Sequence, residues 1–119
     1  MESKDLALKI VKILDSKKAA DIQLVEISNM TILADYFVIA DGGSSTLVQA
    51  LANEIEFCLK QDGITPHHVE GFESKTWIIL DYGSIIVHIF YKDTREFYGL
   101  EKLWSDGTPV DISDHLTEN

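Results

Sequence analysis

Cysteine is nearly absent from this sequence, and the signatures of several other protein classes are missing too. Cys58 is the only cysteine among 119 residues, which excludes an intramolecular disulfide and fits a reducing compartment. No apolar run approaches the roughly 20 residues needed to cross a bilayer. The amphipathic start, interrupted by Lys9 and Lys12, lacks the unbroken apolar core of a signal peptide. We therefore expect a soluble, cytoplasmic protein that does not bind membranes.

Basic residues are also scarce. Ten Lys and Arg residues face 20 Asp and Glu residues, and the net charge is -10. Nucleic-acid binding draws most of its affinity from phosphate neutralisation by Lys and Arg, so we expect little direct nucleic-acid contact. The acidity favours a basic protein partner electrostatically. It is equally compatible with a role in solubility alone.

Hydrophobic periodicity predicts an α/β (α+β) fold, in which a mixed, roughly five-stranded sheet is flanked by helices. Helices are predicted at 4–17 and 45–62, with a third helical stripe from Phe97 to Trp104. Strands are predicted at 22–27, 36–40, 67–71, 76–80 and 84–91. Strand 36–40, helix 45–62 and the next strand fit a right-handed βαβ crossover. Residues 1–107 are predicted to form one domain, and residues 108–119 a loosely held polar tail.

Residues 42–45, Gly-Gly-Ser-Ser, lie between a predicted strand and a helix N-terminus, where backbone amides can bind an anion. A Walker loop would need a lysine before the hydroxyl residue, and a dinucleotide fingerprint would need a third glycine. The following helix carries Glu54 and Glu56, which lie about 200° apart and cannot chelate one metal ion together. A turn with a serine helix cap is therefore the favoured interpretation, and a nucleotide-handling enzyme the alternative.

Other reactive side chains do not combine into a catalytic set. His67 and His68 are neighbours on a predicted strand and point to opposite faces. Cys58 lies on the apolar stripe of its helix, as expected for a core residue. His88 is predicted to be a hydrogen-bonded core histidine, although a dyad with Asp35 stays open. The sequence therefore predicts no catalytic residue, metal or cofactor.

Aromatic residues are concentrated near the end of the chain. Seven of the eleven Phe, Trp and Tyr residues fall between Trp77 and Trp104. Both sides of strand 84–91 are apolar, so either both sheet faces are covered or part of one is exposed. Trp, Tyr and Arg dominate the energetics of protein interfaces. We therefore expect a binding function for this segment, with Arg95, Tyr98 and Trp104 as candidate anchors.

The same segment carries the patterns Trp77-x3-Asp81-Tyr82-Gly83, Val87-His88-x-Phe90 and Arg95-x-Phe97-Tyr98-x-Leu100-Glu101-x-Leu103-Trp104. With these patterns the chain resembles the ribosomal silencing factor family, also called Iojap. Upstream, the matching residues are Asp35-Tyr36-Phe37-Val38-Ile39, Gly43-x-Ser45 and Val69-Glu70-Gly71. The resemblance spans about residues 4–107.

The resemblance implies a nucleotidyltransferase-like fold without the catalytic acids. It also implies binding to the fourteenth protein of the large ribosomal subunit, a basic protein on the intersubunit face. A bound factor would block association with the small subunit and repress translation under nutrient limitation, or assist late assembly of the large subunit. Family members can form homodimers. The implied contact residues are Trp77, Asp81, Tyr82, Tyr91, Arg95, Tyr98, Leu100, Glu101 and Trp104.

Overall fold

A computed structural model describes residues 2–94 and 107–116, and its helices and strands up to residue 91 follow the predicted order of helix, two strands, helix and three strands. The helices are α1 (Ser3–Ser16) and α2 (Ser45–Gln61). The strands are β1 (Ala20–Glu26), β2 (Tyr36–Gly42), β3 (His68–Glu70), β4 (Trp77–Asp81), β5 (Ile85–Tyr91) and β6 (Thr108–Val110). Short 3-10 helices occupy Phe72–Ser74 and Ser113–His115. The predicted helical stripe from Phe97 to Trp104 lies outside the described residues.

The six strands form one mixed sheet in the order β3-β4-β5-β2-β1-β6, which confirms the predicted fold class. Strands β2 and β5 pair in parallel, and the other neighbours are antiparallel. Strand β3 runs parallel to β2 in the same sheet, as the predicted crossover through α2 requires, but β5 and β4 lie between them, and the strand that pairs with β2 in parallel is β5. Strand β5 is apolar on both faces and suits the centre of the sheet, whereas β3 has three exposed residues and suits the edge.

The sixth strand lies in the segment predicted to be a loosely held tail. Val110 pairs with Leu24 of β1, and Ile112 is 7% exposed against the core. These contacts tie residues 108–112 to the sheet, in the segment 108–119 that the sequence predicted to be a loosely held tail. Val110 and Ile112 at alternate positions form too short a pattern to predict a strand. Residues 108–110 become a strand because they pair with the free edge of β1.

Both helices pack on one face of the sheet, which we call the helix face. The amphipathic stripes of α1 and α2 bury Ile10, Leu14 and Ile55 against Val87 and Ile89. None of the described helices is long and apolar enough to span a membrane. The helix face therefore accounts for most of the core, and a second, smaller apolar cluster lies on the opposite face.

The turn between β2 and α2 serves packing and capping. Ser44 is the N-cap of α2, because its Oγ accepts a hydrogen bond from the backbone N–H of Leu47 at 3.1 Å. A Cβ atom on Gly42 would lie 2.9 Å from Cγ2 of Val48, so the strand and the helix approach too closely for a side chain. The favoured interpretation of this turn as a helix cap is thus observed.

Candidate functional site

The sheet face opposite the helices, here called the open face, has its own smaller apolar cluster. Its buried members are Val25, Ile27, Ala34, Phe37, Ile39 and Phe90, with Trp77 and Ile86 partly buried against them. Strand β4 alternates between the two faces. Ile78 and Leu80 are buried towards the helices, whereas Trp77, Ile79 and Asp81 are partly exposed on the open face. The first and last residues of β4, both predicted as contacts, therefore share this face.

Trp77 is held in place by two neighbours on β5. Its ring stacks on Phe90, its register partner, with 5.1 Å between centroids and 26° between planes. Its Nε1–H donates a hydrogen bond to Nδ1 of His88 at 3.2 Å. Both contacts fix the orientation of a side chain that is still partly exposed. A fixed, flat aromatic surface loses little conformational entropy on binding, which suits an interface anchor.

His88 is the buried partner that orients Trp77. It is 6% exposed, and its ring lies 5.0 Å from that of Phe37 in an edge-on arrangement. Burial lowers the pKa of His88 to about 4, so the imidazole is neutral at physiological pH. Since Nδ1 accepts the indole hydrogen bond, the proton lies on Nε2. The prediction of a hydrogen-bonded core histidine is confirmed.

Asp35 does not form the dyad with His88 that the sequence left open. Its carboxylate accepts a hydrogen bond from Oγ of Ser3 at 3.0 Å. His88 instead uses Trp77 as its partner on Nδ1. The geometry thus assigns His88 to positioning Trp77 and not to proton transfer.

Gly71 places the start of β4. It adopts a φ of +76°, and a Cβ atom there would lie 2.1 Å from the carbonyl oxygen of Trp77. Only glycine fits this close approach in a left-handed conformation. The Val69-Glu70-Gly71 segment therefore lies beside β4 and ends against the backbone of Trp77.

Asp81, a predicted contact residue, also stabilises the turn that follows β4. Its Oδ1 accepts a hydrogen bond from the backbone N–H of Gly83 at 2.8 Å, which closes the turn between β4 and β5. The side chain is nonetheless partly exposed on the open face. The carboxylate can therefore hold the turn and present negative charge to a partner.

Two further predicted contact residues, Tyr82 and Tyr91, do not lie on the open face. Tyr82 is 6% exposed and Tyr91 is partly buried, and both pack with the helix-face cluster. Burial raises the pKa of the Tyr82 hydroxyl, and the nearby charge of Glu56 raises it further. Tyr82 thus belongs to the core and offers little surface to a partner. The predicted contacts that lie outside the described residues are Arg95, Tyr98, Leu100, Glu101 and Trp104.

The described residues hold no cluster of three or more His, Cys, Asp or Glu side chains able to hold a metal ion. Cys58 contacts Glu54 through its thiol, at 3.5 Å. Burial, followed by the hydrogen bond to Glu54, raises the pKa of this thiol, which makes it a poor nucleophile. Cys58 therefore contributes to the packing of α2.

Sequence reasoning missed an exposed apolar loop between β1 and β2, residues 28–34. Ile32 is 101% exposed, Leu33 81% and Met30 38%. The signal was present as three apolar residues within a segment predicted only as a loop or helical turn. Apolar residues in a connection between two strands are expected to be covered or to contact a partner.

Comparison with known proteins places this geometry in a family. The family described as "Ribosomal silencing factor during starvation" matches residues 1–119. A Bacillus subtilis protein named as a ribosomal silencing factor is 41% identical over 98 residues, which cover 82% of this chain and 83% of that protein. The protein of the same name from Halalkalibacterium halodurans is 36% identical over 112 residues, covering 94% and 96%.

A solved structure and a mitochondrial relative agree with these sequence matches. A crystal structure of a Chromobacterium violaceum protein superposes with a TM-score of 0.85 at 30% identity, covering 97% of this chain and 98% of that one. A mouse protein named for mitochondrial assembly of the large ribosomal subunit is 31% identical over 99 residues, covering 81% of this chain and 43% of its own length. The chain therefore belongs to the ribosomal silencing factor family.

Proposed function

We propose that this chain is a non-enzymatic silencing factor of translation. It binds the fourteenth protein of the large ribosomal subunit and thereby blocks association with the small subunit when nutrients are scarce. This would place it in the cytoplasm, with the ribosomes that it binds. Family membership supports a ribosomal role, and the fixed, partly exposed indole of Trp77 is the structural observation that supports binding through the open face.

The chemistry of the open face fits a basic protein partner. Trp77 and Asp81 stand at the two ends of β4, about 13 Å apart at the usual rise per strand residue. An aromatic anchor and a carboxylate at that spacing suit an apolar side chain and a nearby Lys or Arg on the partner. The net charge of -10 favours such a partner over long range.

Sedimentation with purified ribosomal subunits tests the proposal directly. We expect the protein to co-sediment with large subunits at physiological salt and to reduce their joining with small subunits. Migration free of large subunits, or unchanged joining in the presence of bound factor, would refute it.

The predicted contact residues can be tested in the same assay. We expect at least one of Trp77→Ala, Tyr98→Ala and Glu101→Lys to weaken binding by about 2 kcal/mol, the size of an interface hot spot. Phe57→Ala is a matched control, because Phe57 is 62% exposed on α2, which packs on the helix face. Normal affinity in all three folded variants would mean that the binding surface lies elsewhere.

Assistance to late large-subunit assembly is a second candidate, supported by the name of the mouse relative. It predicts that cells without the factor accumulate precursor particles of the large subunit even in rich medium. A silencing role alone predicts normal particles in rich medium and excess subunit joining during starvation.

A nucleotide-binding or nucleotidyltransferase-type enzyme is the alternative from the sequence, and it would use the turn at residues 42–45. Ser44 already caps α2 with its hydroxyl, which argues against this use. The alternative predicts thermal stabilisation by nucleotide with magnesium at millimolar concentration. The homodimer implied by the resemblance is also part of our proposal, and mass measured against protein concentration tests it.

A further inference from the structure

The apolar loop, residues 28–34, presents its aliphatic side chains from an ordered backbone. The N–H of Met30 donates to the carbonyl of Ile27 at 2.9 Å, and the N–H of Leu33 donates to Oγ1 of Thr31 at 3.1 Å. These local bonds hold Ile32 and Leu33 outward at 101% and 81% exposure. Two adjacent, almost fully exposed aliphatic residues leave apolar area in water that a partner can cover.

The base of the loop is fixed to the neighbouring turn. The N–H of Asp35 donates to the carbonyl of Ser84 at 2.7 Å, and the N–H of Ile27 donates to the carbonyl of Asp35 at 2.8 Å. The loop therefore stands beside the β4–β5 turn that Asp81 closes. This is the end of the sheet opposite Trp77, since Asp81 and Trp77 are the two ends of β4.

Strand register makes the loop continuous with the open face. Asp81 pairs with Ile86, Ile86 with Phe37, and Phe37 with Val25, so one row crosses the sheet just below the loop. Three of these four residues belong to the open-face cluster. A partner that covers Trp77 and Asp81 would meet the loop at the far end of the same surface.

Acidic residues lie at the base of the loop. Glu26 and Asp35 flank it along the chain, and Asp81 ends the neighbouring strand β4. Glu26 accepts a hydrogen bond from the Tyr36 hydroxyl at 3.2 Å and Asp35 accepts one from Oγ of Ser3 at 3.0 Å, and all three acidic side chains are still partly exposed. An apolar tip with an acidic rim complements a protein surface that has an apolar depression among Lys and Arg residues.

We propose that the apolar loop is a second anchor for the basic ribosomal protein, with Ile32 and Leu33 as the inserted side chains. The inference rests on the proposed function and adds a contact that neither the aromatic segment nor the family motifs identify. Trp77 and the loop then hold the partner at both ends of β4.

The test uses the full chain carrying Ile32→Ser and Leu33→Ser together, with Phe57→Ser as the matched control. Phe57 is also a large exposed side chain, at 62%, but lies on α2 away from the open face. Binding to purified large subunits, thermal melting and mass against concentration are measured for all proteins. We expect the double variant to lose about tenfold or more in affinity at an unchanged melting temperature, and Phe57→Ser to bind as the parent does.

The outcomes separate the loop from the rest of the proposal. Parent-like affinity of the double variant, or an equal loss in Phe57→Ser, would overturn the inference while leaving subunit binding intact. Loss of a concentration-dependent dimer with unchanged subunit binding would assign the loop to a second copy of the chain, which also overturns it. Failure of the parent protein to bind large subunits would refute the proposed function, and the inference with it.

Discussion

Replacing His88 by asparagine measures how much the burial of this histidine beside Trp77 contributes to the pH dependence of stability. The imidazole is 6% exposed, and burial lowers its pKa from 6.5 to about 4. Asparagine Oδ1 occupies nearly the position of Nδ1 and can still accept the indole hydrogen bond, but it does not titrate. The variant therefore removes the proton linkage while it keeps the contact to Trp77.

The direction of the pH effect follows from which state binds the proton. Below the unfolded pKa of 6.5, the unfolded chain takes up a proton on this histidine that the folded chain does not. The free energy of unfolding is therefore not affected by this histidine above pH 6.5, where both states are neutral, and it decreases as the pH falls from 6.5 towards 4. Between pH 7 and pH 5 the loss is about 2 kcal/mol in the free energy of unfolding.

Urea unfolding of the two proteins at several pH values measures this difference. We expect the parent protein to lose about 2 kcal/mol more than His88→Asn between pH 7 and pH 5. Asparagine is a weaker strand former, so the variant starts from a lower stability, and only the two pH slopes are compared. Equal slopes would show that His88 titrates normally and is not buried in solution.

Three further substitutions and one matched control test the fold by thermal or urea unfolding. Gly42→Ala should cost about 1–3 kcal/mol because its methyl group overlaps Val48. Gly43→Ala is the matched control, since among the described residues none beyond its chain neighbours lies within 4 Å of its Cβ position, and its stability should be unchanged or raised by up to about 1 kcal/mol. Ser44→Ala should cost about 1 kcal/mol by removing the cap of α2. Ile112→Ala should cost about 2–4 kcal/mol, because the side chain is 7% exposed in the core.

Each of these predictions has an outcome that contradicts it. A destabilised Gly43→Ala would show that the turn is constrained at both glycines and that the overlap with Val48 is not the cause. An unchanged Ser44→Ala would mean that another group caps the helix. A neutral Ile112→Ala would return residues 108–116 to the status of a loosely held tail.

Local sequence pattern was sufficient for the fold class, for helices α1 and α2 and for strands β1 to β5. Helices α1 and α2 were predicted to within one residue at each end, because their apolar positions recur at helical spacing and a glycine follows α2. The parallel pairing of β2 with β5 was not predicted, since it depends on contacts across more than 40 residues of chain. Strand β6 was missed because three residues carry no periodicity of their own.

The candidate site was predicted only in part. Trp77 and Asp81 share the open face, but Tyr82 and Tyr91 pack on the helix side. The quoted family pattern contains Trp77, Asp81 and Tyr82, and Tyr91 directly follows its Phe90. Core and surface residues alternate along a strand, so neighbouring positions of the pattern face different sides of the sheet. Arg95, Tyr98, Leu100, Glu101 and Trp104 stay predictions, as do the partner and the homodimer.

The sequence by itself determined the order of elements, the acidic charge and the family motifs, because each depends on neighbouring residues or on composition. Tertiary structure decided which side chains face outward. The direction of Trp77 depends on His88 and Phe90 of another strand, and the exposure of Ile32 and Leu33 depends on what the fold leaves uncovered. The type of a hydrophobic residue does not reveal whether its side chain is buried or exposed to a partner, and only the packing of the folded chain decides this.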